Sequence, residues 1–290
     1  EPVWVQAWGG TNTIAQALSV LRRDYSEKEI NGALEKLWIF AIADQDKTSD
    51  WIRENFPKVK YIRSHQFVAL NYQHEGHPYS NHYIFDNEWT TKNVKENHGN
   101  YGKLYAQKYF SEGDSPAFFH LINNGLRAHE NPAYGGWGGR FETKNGYHYF
   151  DAADDGDRLK PQWRWLLDIQ NDFAARMDWC EETFDKANHY PEIKINCNND
   201  LTAKPGKTIT IDASKSTDPD GDALTYNWYF YKEPSTLNNI PEIKNPEKSK
   251  INIKIPNTNE SGTLHLILEI KDSGEPALKK YKRIIINVKP

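Results

Sequence analysis

Short apolar runs and polar turns alternate regularly over the first third of the chain. Residues 3–8 (Val3, Trp4, Val5, Gln6, Ala7, Trp8) have the β-propensity of a strand, and Ile14, Ala15, Ala17, Leu18 and Leu21 then recur at helical spacing. Between them lies Gly9-Gly10-Thr11-Asn12. The glycines permit a tight reversal close to a backbone or a ligand, and Thr11, Asn12 or Thr13 can cap the helix. Residues 37–43 are a nearly unbroken apolar run, which predicts a strand buried on both faces, and the run ends in Asp44-Gln45-Asp46. Thr48, Ser49 or Asp50 then caps a helix through Trp51, Ile52 and Phe56, stopped near Pro57. A third strand over 59–63 ends in Ser64-His65. Strand, polar turn and helix in repetition predict an open, mainly parallel α/β sheet. Its three polar strand ends share one edge, which is where ligands sit in such sheets.

The alternation lapses over residues 66–93, where Tyr72, His74, His77, Tyr79, His82 and Tyr83 crowd together. This segment reads as a wall or lid over the sheet edge, or as a surface excursion. His74 and His77 have a metal-type spacing on a helix, which Gly76 and Pro78 disfavour. Further on, Glu112-Gly113-Asp114-Ser115-Pro116 precedes an apolar run of Phe118, Phe119, Leu121 and Ile122, with Pro116 suited to a first helical turn. Asp114 reads as a helix cap or as a site carboxylate. A glycine-dense loop over 130–142 surrounds Trp137, which is either close-packed or a stacking platform, with Arg140 and Glu142 as polar partners. Residues 163–180 predict a packing helix whose apolar stripe is Trp165, Ile169, Phe173, Met177 and Cys180. The break at Asn188-His189-Tyr190-Pro191 marks a linker.

Beyond it the period changes. Residues 207–213, 225–231, 249–255, 262–270 and 282–288 are strand-like and separated by Gly, Pro and Asn turns, which predicts an all-β, Ig-like sandwich with Trp228 in its core. Asp218, Asp220 and Asp222 alternate through one turn and serve either as calcium ligands or as acceptors for backbone amides.

A length of 290 residues suits two domains, placed at 1–190 for the α/β part and 191–290 for the sandwich. The net charge of −4, with acids and bases mixed, argues against a nucleic-acid surface. No signal peptide and no run long enough to span a bilayer is present. Cys180 and Cys197 form one bridge across the junction or remain two thiols, and their spacing does not suit zinc.

Trp8-Gly9-Gly10-Thr11-Asn12 ahead of an Ala-rich helix resembles the Gly-Pro-Leu-Thr-Asn turn of nucleoside hydrolases. The wider chain resembles the nucleoside-hydrolase-like family described as cellulose-binding proteins, whose members carry an Ig-like C-terminal domain. The resemblance runs through Ala43-Asp44-Gln45-Asp46, His98-Gly99, Glu112-Gly113-Asp114-Ser115-Pro116, Asn124-Gly125-Leu126, Gly136-Trp137-Gly138-Gly139-Arg140 and residues 170–180. Asp212-Ala213-Ser214 together with residues 216–224 and Trp228 resembles a polycystic-kidney-disease (PKD) type domain. The hydrolases open with an Asp-rich strand that supplies most metal ligands, and nothing like it precedes Val3. The expectation is therefore a fragment, a processed chain or one piece of a nicked protein, partnered by a missing N-terminal segment.

The resemblance implies a hydrolase acting on an N-glycosyl or related bond, with calcium held by the Thr11 carbonyl, Asp46 and Asp114. Asp114, Asp44 and Asn12 take the catalytic roles, while Gln45, His65, His98, Glu112, Trp137 and Arg140 bind substrate. A carboxylate-held calcium would orient the water and the sugar hydroxyls together. Gly113 stands where the family's leaving-group histidine would be, which weakens the case for a nucleoside as substrate. The alternative is a non-catalytic polysaccharide-binding protein on the same scaffold, using Trp and Tyr faces. The resemblance suggests a place outside the cell, in the periplasm or on the bacterial surface, with a carbohydrate, nucleoside-like or polysaccharide ligand.

Overall fold

The computed structural model describes residues 1–70, 77–79, 82–105 and 113–290. Tyr72, His74 and Glu112 lie outside the described residues. The chain divides into two compact units: the described residues of Glu1–Asn81, Tyr109–Ile122 and Ala128–Leu166, and those of His82–Lys108, Asn123–Arg127 and Leu167–Pro290.

The first unit is a five-stranded sheet in the order β1-β2-β3-β5-β4. β1 (Val3–Ala7), β2 (Leu37–Ile42) and β3 (Lys60–Ser64) are parallel, as the repeated pattern predicts. β5 (His148–Asp151) adds a fourth parallel strand beside β3, and β4 (Phe141–Thr143) closes the edge antiparallel to β5. Helices α1 (Asn12–Asp24), α2 (Glu27–Leu34) and α3 (Thr48–Asn55) provide the crossovers.

Alternation along the strands sends side chains to opposite faces. Ala7, Ile39, Ala41 and Tyr61 pack with Ala15, Leu18, Leu34, Ile52 and Phe56 from the three helices. On the opposite face, Trp38, Phe40, Ile42 and Ile62 pack with Phe141 and with Ala117 of the short helix Pro116–Phe119. Coverage on both faces explains why β2 reads as a continuous apolar run.

His120 is buried in this second layer, beside Trp4, Phe40 and Phe141. Neither ring nitrogen has a hydrogen-bond partner among the described residues, and burial pushes its pKa down to about 3. Since unmet buried polar atoms cost stability, His120→Phe is expected to stabilise the protein by about 1 kcal/mol in urea denaturation.

In the second unit, helices Asn87–Thr90, Gly99–Leu104 and Leu166–Asp178 precede the sandwich. The predicted stripe on the last helix holds for Ile169 and Met177, which are buried, whereas Cys180 is exposed. Cys180 and Cys197 are both free thiols.

Strands β6 (Asp200–Ala203), β11 (Lys279–Val288), β10 (Gly262–Lys271) and β8 (Thr225–Tyr231) form one sheet, and β7 (Thr208–Asp212) with β9 (Lys250–Lys254) the other. Every pair is antiparallel except β6 on β11. Ile211, Ile251 and Ile253 of the small sheet pack with Trp228, Leu266, Leu268, Ile284 and Ile286 of the large one, which gives the sandwich a single core.

Candidate functional site

The register aligns the strand ends. Ala7 pairs with Ala41, Ile42 with Ser64, and Arg63 with Phe150, so Trp8, Asp44, His65 and Asp151 lie at one carboxyl edge. The edge expected from sequence is present, but its Asp44 and Asp46 carboxylates are already engaged.

Asp44 faces two guanidinium groups. Arg53 of α3 donates to both carboxylate oxygens at 3.1 and 2.9 Å, Arg63 lies 3.1 Å away, and the Tyr61 hydroxyl donates at 3.2 Å. Burial raises the Asp44 pKa, but the hydrogen bond and charge of Arg53 outweigh it and hold the carboxyl below its ordinary value. Asp44 is thereby a fixed anion that ties β2 to α3 and β3.

Asp46 acts on helix ends. Its carboxylate accepts the Thr48 amide at 2.9 Å and the Thr48 hydroxyl at 2.5 Å, at the start of α3. It also accepts the Thr11 hydroxyl at 3.4 Å, beside the start of α1. Neither Thr11 nor Lys47, the residues at the two N-cap positions, caps its own helix, and this carboxylate of the β2–α3 turn supplies an acceptor at the start of α3 while tying it to Thr11 before α1. The Thr48 hydroxyl contributes most to holding its pKa low. Gly10 is required beside it, because a Cβ there would run into the Asp46 carboxylate. Asp46→Ala is expected to cost about 1–2 kcal/mol, the usual scale for a lost cap, with a smaller loss at pH 3 as the wild-type carboxylate protonates; denaturant titration at the two pH values checks it.

Thr11 is fully buried, with its hydroxyl 2.8 Å from that of Thr48 and 3.0 Å from that of Ser49, and its carbonyl accepts the Ala15 amide at 2.9 Å. Asn12 is exposed at the first turn of α1. Gln45 donates its side-chain amide to the carbonyls of Ile42 at 3.0 Å and Trp8 at 3.4 Å.

At the other end of the row, Asp151 accepts the backbone amide of His65 at 2.8 Å through one oxygen, while the other is buried without a partner. Burial pushes its carboxyl up to about 6, against the pull of the His65 and Gln66 amides and of Arg158 and Arg63. His65 is lowered, chiefly by burial and then by Arg63. Asp151 escapes sequence reasoning because β4 and β5 are short. The signal that reveals them is Asn145-Gly146, a hairpin turn between Phe141-Glu142-Thr143 and the aromatic run Tyr147-His148-Tyr149-Phe150.

The remaining expected residues disperse. Trp137 is 1% exposed and packed, with Gln162 donating to its carbonyl. Arg140 is tied to the fully buried Asp154 at 2.7 Å, and Asp154 also takes Arg164 at 3.0 Å. His98 belongs to the second unit, where its ring nitrogen meets Asp178 at 2.9 Å. Asp114 precedes the helix that Gln6 of β1 anchors, through a 3.3 Å bond to the Ala117 carbonyl. Its carboxyl is raised by burial alone. The Asp114 carbonyl, not its side chain, meets the Ala117 amide.

Residues 1–141 match the family model for cellulose-binding Sde182, nucleoside hydrolase-like domain, and residues 208–288 match that for cellulose-binding protein Sde0182, C-terminal domain. A solved structure described as a nucleoside hydrolase-related hypothetical protein from Saccharophagus degradans, associated with carbohydrate metabolism, is 33% identical. The likeness covers 100% of this chain and 72% of that one, at a TM-score of 0.85. The chain belongs to the cellulose-binding Sde182 family. The PKD domain from the KIAA 1837 protein is 19% identical over 31% of this chain and 79% of its own, at a TM-score of 0.22, too low to carry an argument. No curated protein matches.

For this Sde182-family chain the nucleoside hydrolase likeness raises the question of calcium. Among the described residues, the one group of three acidic side chains close enough to share an ion is Asp218, Asp220 and Asp222, in the sandwich. There Asp218 accepts the amides of Asp220 and Asp222 at 2.9 and 3.2 Å, and Asp220 accepts that of His189 at 2.7 Å, which is the work of a turn. At the sheet edge Asp44 is neutralised by Arg53 and Arg63, and Asp46 is taken up by the Thr48 amide and the Thr48 and Thr11 hydroxyls, so the donors present do not fit a calcium site as a set.

Proposed function

We propose that this Sde182-family chain is a polysaccharide-binding protein, with cellulose as its first candidate, that takes its ligand along the carboxyl edge of the parallel sheet. The observation that carries this reading is the engagement of Asp44 and Asp46. With Asp44 held by arginines and Asp46 by Thr48, and with Asp151 and His65 at the far end of the row, the part of the edge around Trp8 offers an exposed indole and neutral amides at Gln45 and Asn12. Such groups match a sugar's apolar C–H face and its hydroxyls, and none of them is an acid or base suited to cleaving a glycosyl bond. A ligand of this kind is met outside the cell or at its surface, which is where this reading puts the protein.

Glycosyl hydrolysis is the second reading. Asp114 favours it, since a carboxyl raised by burial, with no cationic partner among the described residues, is available for proton transfer. Calorimetry with cellohexaose, followed by assay of the same mixture for shortened sugars, separates the two. Binding with the hexaose intact supports the first. Turnover that is lost in Asp114→Asn supports the second.

A further inference from the structure

Trp8 is the sole exposed tryptophan of the ten, with 52% of its surface open. It follows the last residue of β1, at the carboxyl edge itself. A large apolar ring left in water normally gains nothing for the fold, and here its surroundings hold it in place. The indole N–H donates to the Gln6 side-chain oxygen at 3.1 Å, and the Gln6 amide in turn donates to the Ala117 carbonyl at 3.3 Å. From the other side Gln45 donates to the Trp8 carbonyl at 3.4 Å. Ring and backbone are both tethered to the two layers of the unit, so a ligand meeting the indole need not pay to order it.

The neighbourhood supplies the second half of the chemistry. The exposed Gln45 and Asn12 flank the same turn, and the side-chain oxygen of Gln45 accepts no hydrogen bond among the described residues. A flat indole suits the C–H face of a pyranose ring, and free amide oxygens suit the hydroxyls around its rim.

We propose that Trp8 is the platform on which one pyranose unit of a glucan stacks, with Gln45 reading its hydroxyls. The proposal rests on the polysaccharide-binding reading and names the residue that carries it. The affinity is then set by ring area and amide geometry.

The test is cellohexaose binding by the whole chain, with Trp8→Ala and Trp8→Phe compared at matched thermal stability. Wild-type protein binds, Trp8→Ala binds at least tenfold more weakly, and Trp8→Phe falls between them. Subtracting the Trp8→Phe emission isolates the Trp8 fluorescence, which shifts to shorter wavelength when the hexaose is added. Equal affinity in wild type and Trp8→Ala, or unchanged Trp8 emission on binding, overturns the assignment to Trp8 and leaves polysaccharide binding standing. Absence of binding by the wild type overturns both.

Discussion

Asp154→Ala is expected to lower the unfolding free energy by about 3–5 kcal/mol, the range found when one partner is removed from a buried charge cluster. Asp154 has no solvent exposure and neutralises both Arg140 and Arg164, whose side chains are themselves 10% and 20% exposed. Removing the carboxylate leaves two guanidinium groups facing each other across a cavity. The consequence would extend to the sheet edge. Gln66, just beyond β3, accepts the Arg140 amide at 3.1 Å and donates to the carbonyls of Arg140 at 3.2 Å and Ala152 at 2.6 Å. The loop that Arg140 anchors is thus stitched to the ends of β3 and β5. Urea denaturation should show a lower midpoint with an unchanged slope, and a loss under 1 kcal/mol would refute the buried-pair account.

The second large effect is a pH dependence centred on Asp151. Its pKa rises from 3.8 to about 6 on folding, because burial penalises the charge more than the His65 and Gln66 amides and the charges of Arg158 and Arg63 repay. A raised carboxyl means that the folded state binds the proton more tightly than the unfolded chain does. Its favourable contribution is therefore full below pH 4 and is lost as pH rises to about 6, by about 3 kcal/mol. Asp151→Asn cannot titrate. The difference in stability between wild type and variant should change by about 2.5 kcal/mol between pH 4 and pH 7, moving in the variant's favour. A difference that stays constant across that window would show that Asp151 titrates normally.

These two residues mark how far the sequence is legible. Hydrophobic patterning locates β1, β2 and β3, because each is a run of apolar residues followed by a polar turn, and strands of that kind have one solution in a parallel sheet. It also locates β7, β8, β9, β10 and β11 of the sandwich and Trp228. It passes over β4, β5 and β6, which are three or four residues long and draw their stability from neighbours rather than from their own pattern.

Site chemistry is less legible, because residue type does not reveal a partner. Asp44 and Asp46 have the look of ligands in the string Asp44-Gln45-Asp46, yet one meets Arg53 from nine residues on and the other is taken up by Thr48 at the start of α3. Arg140 and Trp137 sit in a glycine-rich loop that suggests a binding surface, and both serve packing. His98 is drawn to Asp178, 80 residues away. Trp8 stands in the first motif of the chain, and only its exposure separates it from the other nine tryptophans.

Adsorption of the whole chain to microcrystalline cellulose, measured as depletion from the supernatant together with soluble sugar released, tests the central claim most directly. The account predicts saturable adsorption, competed by cellohexaose, with no sugar appearing in the supernatant. Protein that stays in solution at every cellulose loading, or sugar that accumulates with time, would contradict it.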